Sequence, residues 1–291
     1  MNKGNILNIC VPILSITIQS KIEDFCKNAY LKVELSKLTY CKTETLLLKT
    51  LGLTHFKAAN ESVNIKSFQS SFASTGRLDA EYYQPKYDNL LTLLRKDNLM
   101  IGDVASLRNE GFKKPEGGDF QYMEIGGLRG DGTVISETVA CEAAPSRASQ
   151  RVRKGDIITS TVRPIRRLTA LVSAKQHGHV CSSGFAVLQP KQIAAEALLV
   201  YLRLPVICEL MDLHTSASLY PAISEKDLLG LPIPNIPATV QANIATLVQQ
   251  SFTLKAQSER LLEAAKRAVE IAIEQDEAAG MAYLAREGAL A

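Results

Sequence analysis

The chain has 291 residues, of which 46% are hydrophobic and 22% are charged, and its formal net charge is +3. These values are ordinary for a soluble globular protein and exclude wholesale disorder. The length is sufficient for one large domain or two modest ones.

The N-terminal region, residues 1–53, begins with an apolar segment that resembles a signal peptide at first sight. Its first eighteen residues, MNKGNILNICVPILSITI, are interrupted by Asn8, Pro12 and Ser15. The run is too short and too polar to span a membrane, and no small-x-small cleavage motif follows it. No two of the six cysteines lie within four residues of each other, which favours reduced thiols over a disulfide framework. We therefore expect a cytoplasmic protein.

The middle region, residues 76–231, mixes short strands, turns and helices. DFQYMEI, TVISETVA, DIITSTV, RLTALV and GFAVLQP are typical of strands, and GDGT at residues 130–133 is a turn signal. PKYDNLLTLLRK and AAEALLVYLRLPVICELMDLH are typical of helices. The pattern predicts a mixed α+β domain.

Positive charge is concentrated in the middle third of the chain. Between residues 145 and 175 there are eight basic residues and one acid, so the rest of the chain is net negative. Three of the arginines (Arg163, Arg166 and Arg167) fall within GDIITSTVRPIRRLTALV, residues 155–172. A local excess of this kind predicts a surface that binds a polyanion, and the alternative is a solvated basic face that binds nothing.

Arginine suits a nucleic acid partner because its planar fork donates in pairs to phosphate or to guanine. Hydroxyl groups of Ser160, Thr161 and Ser183 flank the arginines and are able to reach phosphates or bases. The chain lacks tryptophan, and its aromatic content is 6%, which argues against a platform for stacking single-stranded bases. Duplex DNA is the expected partner.

The third region, residues 232–284, predicts a long amphipathic helix. Prolines 232, 234 and 237 hold its start extended, and apolar residues then recur at spacings of three and four. The first region resembles it at a shift of 222 positions, with Pro12 over Pro234 and Gln19 over Gln241. Two such helices in one chain are expected to pair as an antiparallel coiled coil. The predicted interface residues are Ile244, Leu247, Val248, Phe252 and Leu261.

Motifs for catalysis are absent from the sequence. There is no GxxxxGK[ST] phosphate loop, no HExxH and no GxSxG, and the glycines of EIGGLRGDG do not match GxGxxG. Asp156 and Glu142 are a weak candidate for a nuclease metal pair, and His177 and His179 a weak candidate for metal ligands. We expect Asp156 to cap a turn and the histidines to lie in one. The sequence therefore predicts no catalytic residue, no metal site and no cofactor.

Five segments, in order, resemble one half of the specificity (S) subunit of a Type I restriction–modification system. They are GRLDAEYYQPKYD at 76–88, APSRASQRVRKGDIITSTVRP at 144–164, CSSGFAVLQP at 181–190, HTSASLYPAISEKDLLGLPIPNIP at 214–237 and the long helix that begins near Gln241. The resemblance covers nearly the whole chain.

The resemblance implies a fold and a set of partners. The fold is a mixed α/β target recognition domain flanked by two long helices that pair as an antiparallel coiled coil. The domain recognises part of a split site in double-stranded DNA and performs no chemistry. The helices set the spacing and dock methyltransferase (modification) subunits, and through these the restriction subunit. The residues expected at the DNA are Ser160, Thr161, Arg163, Arg166, Arg167, Ser183, Thr215, Ser216, Ser218 and Tyr220.

This chain departs from that pattern because it has room for one recognition domain rather than two. The chain is then either a natural half-subunit or a remnant of a disrupted gene. A half-subunit would pair with a copy of itself or with another half, and pairing with itself favours a palindromic split site. Two other functions stay open. One is a stand-alone methyltransferase or nuclease fused to its own recognition domain, and the other is a coiled-coil scaffold without affinity for DNA.

Overall fold

The computed structural model describes residues 12–56, 63–216 and 220–289. Its α-helices are α1 (Ile16–Thr50), α2 (Phe72–Thr75), α3 (Pro85–Leu94), α4 (Ile101–Val104), α5 (Ala195–Arg203), α6 (Pro205–Leu213), α7 (Glu225–Leu229), α8 (Ala238–Glu274) and α9 (Glu277–Gly288). Its strands are β1 (Ala105–Leu107), β2 (Asp119–Met123), β3 (Glu137–Ala140), β4 (Ala148–Arg151), β5 (Ile157–Ser160), β6 (Thr169–Leu171), β7 (Val180–Ser182), β8 (Phe185–Pro190), β9 (Thr215–Ser216) and β10 (Ala222–Ile223).

The predicted fold class, α+β with long flanking helices, is confirmed by these elements. The chain forms two compact units, Met1–Cys41 with Leu247–Ala291 and Lys42–Thr246. Each long helix contributes residues to both units. Within the ranges that the structure covers, no helix is both long enough and apolar enough to cross a membrane.

The first unit contains an antiparallel pairing of α1 with α8 within one chain. The hydroxyl group of Ser36 donates to the carbonyl oxygen of Ser251 (2.8 Å), and that of Ser258 donates to the carbonyl oxygen of Ala29 (2.7 Å). The numbers rise along one helix as they fall along the other, so the helices run in opposite directions. All four residues are buried and small, which lets the two backbones approach closely.

These contacts have an internal symmetry that matches the sequence repeat. A shift of 222 converts Ala29 into Ser251 and Ser36 into Ser258, so the two hydrogen bonds are related by a pseudo-two-fold axis. The amide of Gln19 donates to the carbonyl oxygen of Leu14 (2.8 Å), and that of Gln241 donates to the carbonyl oxygen of Ile236 (2.7 Å). The repeat predicted from sequence is therefore a repeat of structure.

The C-terminal region contains the predicted long helix, α8, which ends at Glu274, and a second helix, α9, that the sequence analysis did not predict. Helix α8 has 37 residues, about 55 Å at 1.5 Å per residue. After it, the carboxylate of Asp276 accepts from the backbone N–H of Ala279 (2.8 Å) and caps α9. Leu284 of α9 is buried in a cluster with Phe25, Ala29 and Leu261. Helix α9 thus packs as a third helix of the first unit.

The second unit is built on two four-stranded sheets. In the first sheet the order is β1-β8-β5-β6 and every pair is antiparallel. The second sheet has the order β3-β2-β7-β4, in which β2 and β7 are parallel. Strands β9 and β10 form a separate antiparallel pair.

The first sheet is covered on both faces. Ile158, Ala170 and Val187 pack with Met123 and Cys181 of the second sheet, and α5 packs on β5 and β6 from the other side. Every residue of β5 and β6 is buried as a result. Pro205 divides the predicted helix 194–214 into α5 and α6, because proline cannot donate to the preceding turn.

Candidate nucleic-acid interface

The three arginines of the 163–167 segment lie in the turn between β5 and β6. A 3₁₀ helix spans Pro164–Arg166, and both residues that flank it, Arg163 (φ 50°) and Arg167 (φ 59°), adopt the left-handed conformation. That conformation is unfavourable for a side chain with a Cβ atom. Strands β5 and β6 are buried, so the turn that joins them, and not the strands themselves, carries the arginines.

Backbone hydrogen bonds fix this turn to the chain near Tyr220. The N–H of Arg163 donates to the carbonyl oxygen of Pro221 (2.9 Å), and Val162 forms a bridge with Ala222. The guanidinium group of Arg163 lies over the ring of Tyr220, 5.9 Å from its centroid. The ring is itself 72% exposed. Arg163 and Tyr220, both predicted DNA contacts, are thus neighbours.

A cleft of about 250 Å³ opens at this turn. Its lining combines three arginines and one tyrosine with an apolar floor, namely Arg147, Arg163, Arg166, Tyr220, Ile125, Val162 and Leu168. Ile125 and Leu168 also pack against the buried core of the second unit, so the floor is the outer surface of that core. In the described part of the chain, the side chains of Arg147 and Arg166 have no carboxylate partner.

Arg147 was not among the predicted contacts, although it carries the same chemistry. It lies in the segment before β4, and its carbonyl oxygen accepts from the backbone N–H of Ser183 (2.8 Å). Ser183 is exposed, and its predicted contact with DNA stays a prediction. Arg147 is 16 residues from Arg163 in the sequence, and the backbone at Ser183 and Gly184 connects the two segments, because the N–H of Thr161 donates to the carbonyl oxygen of Gly184 (3.0 Å).

Arg167 does not line the cleft and is held by internal partners. Its Nε donates to the carbonyl oxygen of Arg203 (2.7 Å), and its Nη2 pairs with the carboxylate of Glu44. In return, Arg203 donates to the carbonyl oxygens of Arg167 (2.8 Å), Thr169 (3.0 Å) and Gly130. These bonds give Arg167 a structural role, and its predicted contact with DNA stays a prediction.

The hydroxyl groups of Ser160 and Thr161 are also engaged inside the protein. Ser160 is 2% exposed, and its hydroxyl donates to the carbonyl oxygen of Val162 (2.9 Å). Burial removes Ser160 from any surface, so the structure contradicts its prediction as a DNA contact. Thr161 is half-buried and donates to the carbonyl oxygen of Gly184 (3.1 Å), which fixes the base of the turn.

The predicted residues Thr215 and Ser216 lie in strand β9, which pairs with β10. Thr215 pairs with Ile223 and Ser216 pairs with Ala222 across β9 and β10. The hydroxyl of Thr215 donates to the carbonyl oxygen of Asp212 (2.7 Å), whereas Ser216 is exposed. Ser218 lies outside the described residues. Tyr220, two residues before β10, lines the cleft.

Other basic residues of the region are bound within the fold. Arg151 donates to the carbonyl oxygen of Gly178 (2.9 Å) and stacks over Phe112. Arg153 pairs with Glu110 (2.9 Å), and this guanidinium group lowers the pKa of the Glu110 carboxyl. The basic cluster of the sequence is therefore divided: Arg147, Arg163 and Arg166 line the cleft, and Arg151, Arg153 and Arg167 stabilise the domain.

The weak catalytic candidates have structural partners. Asp156 is 1% exposed and accepts from Arg108 (2.5 Å) and from the backbone N–H of Arg153 (2.8 Å), which confirms that it caps a turn. His179 bonds to the hydroxyl of Ser136 (2.8 Å).

Burial raises the pKa of the Cys181 and Cys208 thiols to about 12. Among residues 12–56, 63–216 and 220–289, no cluster of three His, Cys, Asp or Glu residues is arranged to hold a metal ion.

The predicted interface residues of α8 are all buried or partly buried. Ile244 and Val248 are fully buried and Leu261 is 4% exposed, whereas Leu247 and Phe252 are partly buried. Leu261 packs against Phe25 and Ala29 of α1. For Leu261, the partner helix in the predicted coiled coil is therefore α1 of the same chain.

Comparison with known proteins finds similar solved structures but no matching family model and no matching curated protein. One is described as the structural basis of complex assembly and conformational transition of the type I R-M system. It is 23% identical, with a TM-score of 0.46 over 59% of this chain and 45% of that chain. Another is the HsdS subunit from Thermoanaerobacter tengcongensis, 24% identical, with a TM-score of 0.46 over 60% of this chain and 46% of that one. The present chain spans less than half the length of either.

Proposed function

We propose that this protein is a non-catalytic subunit that binds double-stranded DNA and gives a Type I restriction–modification complex its sequence specificity. The observation that carries the proposal is the cleft, in which Arg147, Arg163 and Arg166 converge with Tyr220. The five ordered sequence segments that resemble a specificity subunit support it independently.

The geometry of the cleft favours a polyanion because its positive charges are held close together before any ligand arrives. Confining like charges in one cleft raises their mutual repulsion, and a bound anion relieves it. The backbone hydrogen bond from Arg163 to Pro221 and the bridge of Val162 with Ala222 hold the turn in place. Binding therefore requires little further ordering of the chain.

The test is a titration of fluorescently labelled 30-base-pair duplex DNA with the full chain across a range of salt concentrations. We expect binding that weakens steeply as salt rises, because displaced counterions drive association with phosphate. Single-stranded DNA of the same sequence is expected to compete poorly. Absence of duplex binding at low salt would reject the proposal in favour of a scaffold.

The alternative function, a stand-alone enzyme, makes a different prediction for the same sample. Incubation of the purified chain with duplex DNA and either Mg²⁺ or a methyl donor would yield cleaved or methylated product. We expect neither, because the chemistry is proposed to belong to methyltransferase and restriction subunits bound by the long helices.

We also propose a second copy of the chain as a partner, and the contact made by Gln241 supports a way for it to dock. The Oε1 atom of Gln241 accepts from the backbone N–H of Ala194 (2.7 Å), at the start of α5 in the globular unit. The Nε2 group of Gln19 donates to the carbonyl oxygen of Leu14, just as that of Gln241 donates to Ile236. Gln19 is exposed, however, and its Oε1 atom has no donor among the described residues. We therefore expect the globular unit of another half-subunit to supply that donor.

Light scattering at increasing protein concentration tests this partner. Wild type is expected to reach the mass of a dimer, and Gln19→Ala is expected to weaken the association. Lys21→Ala, an exposed change on the same helix, is the matched control. A wild-type chain that stays monomeric at concentrations near 100 μM would argue for a different partner.

A further inference from the structure

The cleft combines two chemistries that phosphate binding alone does not require. Three arginine side chains line it, and the apolar part of the lining, here called the floor, is Ile125, Val162 and Leu168. A phosphate is strongly hydrated, and an apolar floor offers it no hydrogen bond in exchange for lost water. The edge of a base, by contrast, presents polar and apolar atoms side by side in one plane.

The donors of the cleft also discriminate among the four bases. Arginine has five N–H donors and no acceptor. In the major groove, guanine presents two acceptors, O6 and N7, whereas adenine and cytosine each present an amino donor that faces arginine unfavourably. Thymine presents one acceptor beside a methyl group. Two adjacent acceptors match the planar fork of arginine, and a methyl group matches the apolar floor.

The fixed position of Arg163 favours recognition of a particular base over general electrostatic attraction to DNA. Its backbone is fixed in the left-handed region and its guanidinium group lies over the Tyr220 ring. A side chain that is held in this way loses less entropy when it forms two parallel hydrogen bonds. Leu168 and Ile125 are likewise held by the core beneath them, so the floor keeps its shape.

From this geometry we infer that the cleft recognises a guanine in the major groove of duplex DNA, with the 5-methyl group of a neighbouring thymine against the apolar floor. The inference rests on the proposed function and specifies the bases to which that function is directed. The recognising groups are the side chains of Arg147, Arg163 and Arg166, of which at least one donates to O6 and N7.

The experiment begins with selection of bound duplexes from a randomised pool by the full chain. The selected guanine is then replaced by 7-deazaguanine, which lacks the N7 acceptor and leaves base pairing intact. We expect wild type to bind the substituted duplex about 10-fold more weakly, the size of one good paired contact. Replacement of the neighbouring thymine by uracil, which removes the methyl group, is expected to weaken binding as well.

Single alanine variants of Arg147, Arg163 and Arg166 complete the test. In at least one of them the 7-deazaguanine substitution is expected to cause no further loss, because the donor that used N7 is gone. The matched control is Arg95→Ala/Lys96→Ala, which removes two exposed charges that do not line the cleft and is expected to keep the full loss. A second control places 7-deazaguanine outside the selected positions.

Three results would overturn the inference while leaving duplex binding intact. Selected duplexes would contain no fixed guanine, or 7-deazaguanine would bind as tightly as guanine, or every arginine variant would retain the full loss. The last two outcomes would assign these arginines to phosphate. Failure of the wild-type chain to bind any duplex would instead reject the proposed function itself.

Discussion

Arg167 and Arg203 hold each other by reciprocal hydrogen bonds. The guanidinium group of Arg203 donates to the carbonyl oxygen of Arg167 (2.8 Å), and that of Arg167 donates to the carbonyl oxygen of Arg203 (2.7 Å). Arg203 is 2% exposed and also donates to Thr169 and Gly130. The pair connects the C-terminal end of the turn at residues 163–167 to the C-terminal end of α5.

Removal of Arg203 is expected to destabilise the protein strongly. Arg203→Ala leaves three carbonyl oxygens without their donor in a buried position, and we expect the free energy of unfolding to fall by about 3 kcal/mol. Arg203→Lys keeps the charge but not the planar fork, so we expect an intermediate loss. Urea unfolding measures both. A value for Arg203→Ala within about 0.5 kcal/mol of wild type, as for an ordinary surface substitution, would contradict the role given to this residue.

Arg166 and Arg167 are adjacent in sequence, but we expect their alanine variants to fail in different assays. Arg166 is exposed at the cleft, so Arg166→Ala should weaken duplex binding and leave unfolding unchanged. Arg167→Ala should lower the free energy of unfolding by about 1–2 kcal/mol through loss of its bonds to Glu44 and Arg203. Fluorescence anisotropy and urea unfolding of both variants make the comparison, and the reverse pattern would refute the assignment.

Gly280 in α9 is expected to resist replacement by alanine, although alanine favours helices by about 1 kcal/mol over glycine. A Cβ atom at Gly280 would lie 2.9 Å from the carbonyl oxygen of Ala268 and 3.1 Å from Ile18. Helix α9 would have to move, because the first of these atoms belongs to the backbone. We expect Gly280→Ala to lower the melting temperature, and a higher melting temperature would show that α9 does not pack here as described.

Ala282→Gly is the matched control on the same helix, at a position that is exposed. It should lower stability by about 1 kcal/mol through helix propensity alone. The comparison separates the effect of packing at Gly280 from that of propensity.

Stability is expected to fall as the solution is acidified from pH 7 to pH 5, in part because of His214. Burial lowers the pKa of His214 and of His179 below the ordinary value of 6.5. The unfolded chain therefore binds protons more readily than the folded chain in this range. The stability that the neutral imidazoles contribute is present above pH 6.5 and is lost as pH falls toward the folded pKa.

Unfolding by urea at pH 7 and pH 5 measures this dependence. His214→Gln should show a smaller decrease between the two pH values than wild type does. His177→Gln, which replaces an exposed histidine, is the control and should retain the wild-type decrease. A His214→Gln curve parallel to that of wild type would exclude His214 as a source of the pH dependence.

Sequence patterns predicted the elements better than the orientation of their side chains. The strands around Ile158 and Val187, and the Gln19–Gln241 repeat, follow from local periodicity and a shift within the chain. The burial of Ser160 could not be predicted, because it depends on α5 and the second sheet covering both faces of the first. Local sequence carries no information about such tertiary coverage.

Only some of the residues that line the cleft were predicted, because the others also depend on tertiary structure. Arg163, Arg166 and Tyr220 were identified from charge and from the resemblance, whereas Arg147 and the apolar floor were not. These residues reach the cleft through strand pairings between distant segments. Arg167 was predicted as a DNA contact together with Arg163 and Arg166 because all three are arginines. Its bonds to Glu44 and Arg203 are what distinguish it from the other two, and they depend on the tertiary structure.

The most direct measurement of the central claim compares duplex affinity for two double variants at one salt concentration. Arg163→Ala/Arg166→Ala removes two charges from the cleft, and Arg95→Ala/Lys96→Ala removes two exposed charges outside it. We expect the first variant to bind duplex DNA at least about 10-fold more weakly than wild type and the second to bind within about 2-fold of it. Equal losses in the two variants, or no loss in the first, would contradict the assignment of this cleft as the DNA-binding surface.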